Sequence, residues 1–204
     1  MAPAASLADM PRTVTVTGHG SATAVPDTAV VRIAAVHRAT GMAEALSGAE
    51  SARAAVVDAA GELVVSSTDL NVWPAHDNDG RRAGFEARHA LTITGGDLEA
   101  AGELVGRLAE EVGDRLQVES VSLSVGDPTA ALGEAREAAF TEARARAEHL
   151  AALADAALGE VQDVSEGAGP PVSRGTELAM KADVGFAPGQ TTLTSTVTVT
   201  WALA

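Results

Sequence analysis

The sequence predicts an α+β fold: an antiparallel-dominated mixed sheet with a split βαβ core (strand, helix, strand, strand, helix, strand), plus a long third helix and C-terminal strands. Three observations predict it. Thr/Val runs with a two-residue period bracket the chain, at 13–17 and 196–201. Between residues 28 and 125 the apolar spacing changes twice from a period of two to steps of three and four, and back. After Asp127-Pro128 one helical pattern runs on to about Leu158.

The opening run, Thr13-Val14-Thr15-Val16-Thr17, suits a half-buried strand, and Thr196 to Trp201 repeats it. Facing threonine rows pair across strands for a few tenths of a kcal/mol each, so both termini are expected in one sheet. Gly18-His19-Gly20 then raises the question of a phosphate loop. A dinucleotide fingerprint needs a third small residue where Thr23 stands, and a helix where Pro26-Asp27 leads into another strand. The expectation is a turn or bulge, with His19 left only marginally placed to meet a ligand or a neighbouring subunit.

Thr28 to Ala39 reads as a strand with Ala29, Val31, Ile33, Ala35 and His37 on one face and Arg32 and Arg38 on the other. A helix from about Met42 to Val64 keeps Met42, Leu46, Ala49, Val56, Ala60 and Leu63 in one stripe, weakened at Gly61. Thr68 to Trp73 is a strand ending at Pro74; Phe85 to Thr94 is its partner, joined through Asp79-Gly80. Asp97 caps a second helix, with Leu98, Ala101, Val105, Leu108 and Val112 inward and an end near Gly113. Val118 to Val125 is the next strand. Asp127-Pro128 starts the long helix, whose buried face is expected to be Phe140, Ala143, Ala147, Leu150, Ala154 and Leu158, with a Glu142–Arg146 pair and His149 on the wet side. Glu160 to Ser165 is a short strand, and 166–190, with five Gly and three Pro, is a long loop. Residues 1–12 are expected to be a disordered tail before a single domain over 13–204.

Composition narrows the function. At 204 residues and 46% hydrophobic, the chain can bury a substantial core, and with few aromatics that core is Ala, Val and Leu. The net charge of −14, with thirteen scattered arginines and Lys181, opposes binding to nucleic acid and anionic lipid. The absence of cysteine excludes disulfides, thiolate nucleophiles and Cys-ligated metals. No apolar run reaches membrane-helix length, and MAPAASLADMPR lacks the marks of a secretion signal. The location expected from the chain as written is cytoplasmic, with a periplasmic or secreted one as the alternative if a signal has been removed.

Few stretches look like chemistry. His76-Asp77-Asn78-Asp79-Gly80 holds only a fragment of a calcium loop and reads as a hairpin tip. His37 and His89 share the apolar faces of two strands, yet no third ligand or nucleophile accompanies them, so core or interface histidines are expected. The serines form no Gly-x-Ser-x-Gly elbow, and no Walker loop is present. No catalytic residue, metal site or cofactor is assigned, and a non-enzymatic protein is expected.

Four strings, "VTVTGHGSATAVPDTAVVRIAAV", "STDLNVWPAHDNDGRRAGFEARHALTITGGDLEAAGELV", "VESVSLSVGDPTAALGEAREAAFTEARARAEHLAALADAALGEVQDVSEG" and "TLTSTVTVTWAL", taken in order, resemble the SIMPL domain, also called the YggE-like family. The likeness covers about residues 13 to 203. It implies an α+β fold, ring assemblies in members from bacterial envelopes, and roles in oxidative-stress defence or as periplasmic antigens. It supplies no agreed catalytic residues to carry over. The tyrosines common around the "GFEARHALTIT" hairpin are missing here. A homo-oligomer is therefore expected, with exposed Trp73 and Phe186 as candidate self-association residues. The rival readings are a small-molecule-binding module closed by 167–190 and, behind it, a metal-dependent enzyme using His37, His89 or the 76–80 turn.

Overall fold

The computed structural model describes residues 12–167 and 189–204. In chain order the elements are β1 (Thr13–Ala24), β2 (Thr28–Ala39), α1 (Met42–Ala60), β3 (Val64–His76), β4 (Arg82–Thr94), α2 (Leu98–Val112), β5 (Leu116–Ser124), α3 (Thr129–Leu153), β6 (Leu158–Glu166) and β7 (Thr191–Leu203). They group into two compact units: an inserted unit, Pro26–Gly126, and a flanking unit made of the chain before and after it.

The inserted unit holds the expected strand, helix, strand, strand, helix, strand order. Its sheet runs β3-β4-β2-β5 with every neighbour antiparallel, which is the split βαβ arrangement. Both helices cover one face, closing a core of Val31, Ile33, Leu91 and Ile93 from the sheet with Val56, Leu104 and Leu108 from the helices. Asp97 caps α2 by accepting from the Ala100 N–H at 2.9 Å. The first helix stops at Ala60, short of the expected Val64, because Gly61 takes a positive φ of 60° and turns the chain into β3. Strand β3 continues through Pro74 to His76, beyond its expected end. Pro74 is tolerated there because β3 is an edge strand and the ladder loses nothing on its open side.

In the flanking unit, β7 pairs with both β1 and β6. Both terminal Thr/Val runs do lie in one sheet, and Thr15–Thr200 and Thr17–Thr198 join hydroxyls at 2.9 Å. Gly18-His19-Gly20 is not a turn. It lies mid-strand in β1, in register with Val197, Thr196 and Ser195. The glycines are there because of α3: a Cβ on Gly18 would stand 2.1 Å from the Ala139 carbonyl oxygen, and one on Gly20 2.0 Å from that of Ala135.

The helix side of that contact also differs from expectation. The buried residues of α3 are Ala131, Ala135, Ala139, Ala143, Ala147 and Ala151, whereas Leu150 is exposed. This alanine stripe meets Val16, Val197, Val199 and Trp201, with the Phe140 ring 6.2 Å from that of Trp201. The helix ends at Leu153, before the expected Leu158, as Asp155 adopts a φ of 49° and Leu158 joins β6. At its start Asp127 accepts from the Thr129 N–H at 2.9 Å. The Glu142–Arg146 pair forms at 3.5 Å and is more than a wet surface. Arg146 donates to the Thr17 carbonyl at 2.9 Å and Glu142 accepts from the His19 N–H, so the pair occupies two outward backbone groups in the middle of the β1 edge.

Candidate functional site

The register of β2 against β4 sets His37 opposite Ala87 and His89 opposite Ala35, so the two imidazoles are diagonal neighbours on the helix-covered face. Helix α1 makes room for the first. A Cβ on Gly48 would lie 2.0 Å from Cδ2 of His37, so the ring sits where an ordinary helical side chain would be.

His89 has named partners on both ring nitrogens. Its Nε2 is 3.0 Å from Oγ of Ser67 on β3, and its Nδ1 is 3.7 Å from Oε2 of Glu50 on α1. Glu50 is held in turn by Arg53, whose Nε lies 2.9 Å from both carboxylate oxygens and whose Nη2 lies 2.6 Å from Oε1. The bond from Arg53 keeps the Glu50 carboxyl below its ordinary range, helped by the charges of Arg53 and His89. Ser67 directly precedes a break in the β3–β4 register, where Thr68 has no partner residue. The Glu50–Arg53 spacing of three is visible in the sequence; the meeting of Ser67 with His89 depends on strand register and leaves no local signal.

The 76–80 segment is a hairpin tip. Oδ1 of Asp77 accepts from the N–H groups of Asp79 and Arg81, at 3.0 and 2.8 Å, and Gly80 has a φ of 76°. Among the described residues, no three His, Asp or Glu side chains are arranged to hold a metal ion.

Two further surfaces carry exposed polar or aromatic side chains. On the flanking unit, alternate residues of β1 and β7 bring threonines and serines to the face turned away from α3, with His19 Nδ1 3.3 Å from Oγ1 of Thr196. A depression of about 760 Å³ there is lined by His19, Ser21, Thr192, Thr194 and Thr196, among others. On the inserted unit, Trp73 pairs in register with Glu86, on the sheet face that α1 and α2 leave uncovered. Trp73 is 37% exposed, whereas Glu86 is buried and bound by Arg38. Arg88 reaches Glu119 on the same face. Phe186, the other expected self-association residue, and most of the 166–190 loop lie outside the described residues.

A family model described as SIMPL, a protein of unknown function (DUF541), matches residues 14–201. The 26 kDa periplasmic immunogenic protein of Brucella melitensis biotype 1 is 30% identical over 185 residues, covering 79% of this chain and 69% of that protein. Its namesake from Brucella abortus strain S19 is 29% identical over the same shares. Among solved structures, the de novo designed protein Foldit4 aligns over 50% of this chain and 100% of its own, at 18% identity and a TM-score of 0.27, a likeness too slight to transfer anything.

Proposed function

We propose that this chain, which belongs to the SIMPL family, self-assembles into a homo-oligomer through the helix-free face of its four-stranded sheet. One observation carries the reading: Trp73 stands 37% exposed at the β3 edge of that face. A large aromatic left partly exposed beside an edge strand is what a second copy would cover. On the β1 edge, by contrast, Glu142 and Arg146 engage the His19 N–H and the Thr17 carbonyl in mid-strand. Assembly of this kind makes and breaks no covalent bond.

The likeness to Brucella proteins named as periplasmic supports a periplasmic location for this chain over a cytoplasmic one. A role in stress defence would then be exercised through assembly, since a chain without cysteine has no thiol to oxidise. Size-exclusion chromatography with light scattering tests the proposal. The expected result is a mass several times 20.5 kDa at micromolar concentration, reduced by Trp73→Glu. A wild-type monomer overturns it.

A second reading rests on the hydroxyl-lined depression beside His19. A small polar ligand held there would raise the melting temperature in a metabolite screen and lose its effect in Ser21→Val. A screen with no shift removes this reading.

A further inference from the structure

The expectation of a protein without catalytic groups came from the absence of local motifs, but nucleophilic sites are recognised by geometry and not by spacing in the chain. We propose that Ser67, His89 and Glu50 form a nucleophile, base and orienting carboxylate able to transfer the acyl group of small activated esters to water.

The geometry has the parts in order. Ser67 Oγ lies 3.0 Å from His89 Nε2, within reach for proton transfer. Glu50 Oε2 faces the opposite ring nitrogen at 3.7 Å, a loose contact of the kind that tightens when substrate binds. Arg53 fixes the Glu50 carboxylate by two nitrogens and keeps it ionised, so it can favour the Nδ1–H tautomer and the imidazolium that follows. The His89 side chain is only 12% exposed, which limits its freedom to leave this position. Ser67 is exposed, so the nucleophile is open to solvent and to substrate. Leu70, opposite His89 in the ladder and 51% exposed, offers an apolar rest for a short acyl chain. With an open strand on one side, the site fits small esters with good leaving groups.

The step balances without a further reagent. Ser67 Oγ bonds to the ester carbonyl carbon as its proton passes to His89 Nε2. The carbon–oxygen bond to the leaving group breaks, and His89 returns that proton to the departing alkoxide. A water then attacks the acyl-serine, His89 takes its proton, and the acid leaves as Ser67 recovers its hydrogen.

A fluorophosphonate is the direct probe, because its phosphorus forms a bond to an activated serine with loss of fluoride. Peptide mass spectrometry on the intact folded chain should find Ser67 labelled at least about a hundredfold faster than its exposed neighbour Ser66, the scale of general-base assistance. His89→Gln should abolish that preference. Glu50 acts through His89 as a positioning residue, so Glu50→Gln should lower the labelling rate about tenfold and Glu50→Asp restore part of it, both with unchanged circular dichroism. Hydrolysis of p-nitrophenyl acetate should fall at least about tenfold in Ser67→Ala. Equal labelling of Ser66 and Ser67, labelling that survives His89→Gln, or ester hydrolysis unchanged in Ser67→Ala would each overturn the proposal. None of these readouts depends on Trp73, so failure here and failure of assembly are separable.

Discussion

Placing a methyl group at Gly18 tests how β1 and α3 fit together. The added Cβ would meet the Ala139 carbonyl oxygen at 2.1 Å, the Ala143 nitrogen at 2.6 Å and the Ala143 Cβ at 2.8 Å. Favourable contacts begin near 3.5 Å, so helix and strand must part by about 1 Å or more. Two of the three obstacles are backbone, which no rotamer change can move. Overpacking typically costs about 1–3 kcal/mol, and a backbone obstacle belongs at the upper end. Against this, alanine restricts the unfolded chain and suits a strand better than glycine, together worth about 1 kcal/mol in its favour. The net expectation for Gly18→Ala, and likewise for Gly20→Ala, is a loss of about 2 kcal/mol. Trp201 is buried in the flanking unit and Trp73 lies in the inserted one, so a Trp73→Phe background lets fluorescence follow the flanking unit alone. With a urea m-value of about 2 kcal/mol/M, the midpoint should drop by roughly 1 M. Gly133→Ala, on α3 with open space around it, serves as control and should gain up to about 1 kcal/mol. Unchanged midpoints for both Gly18→Ala and Gly20→Ala would refute the close-approach account.

Gly48→Ala should destabilise the inserted unit although alanine is the better helix former, because the methyl displaces the His37 ring. The double variant with His37→Ala should recover at least about 1 kcal/mol of coupling in denaturant titrations. Asp127 is held below the ordinary carboxyl range by its bonds from Thr129. A depressed native value contributes stability above the unfolded-state pKa and loses it as pH falls through the native one. Wild type should therefore be more stable than Asp127→Asn near neutrality, with the gap closing in acid below about pH 4, as melting curves across pH would show. Glu86→Ala should lower stability by no more than about 1 kcal/mol in urea titrations, since the Arg38 side chain is 73% exposed and water replaces the bond it loses.

Features determined by near neighbours could be read from the chain. Helix α2 was legible because Asp97, its apolar steps and Gly113 all act within one helix, and its observed ends match the expectation. The buried face of α3 was legible only at Ala143 and Ala147, which are buried as expected, whereas Leu150 and Ala154 are exposed. Alanine occurs on every side of that helix, so apolar periodicity does not identify one face, and the choice is made by the glycines on β1. Gly18-His19-Gly20 failed for the same reason in reverse, since the cause of its composition lies more than a hundred residues away on α3. Ser67, Glu50 and His89 come from three elements and meet only through a strand register. His37 and His89 could be placed on a common face from sequence alternation, yet the seat that Gly48 provides for His37 could not.

The pairing of β1 with β7 also orders events in time. Thr15 and Thr200 share a hydrogen bond across 185 residues, so a ribosome adding about 5–20 residues per second makes the first strand wait roughly ten to forty seconds for its partner. During that interval the inserted unit has its whole sequence and can fold, while the flanking unit cannot close. Along the α3 contact the half that waits presents mainly alanine and glycine beside Val14, Val16 and Phe140, so it offers less apolar surface to a chance encounter with another nascent chain than a leucine-rich helix face would. The composition that permits close packing in the finished protein thus also limits aggregation while synthesis is incomplete.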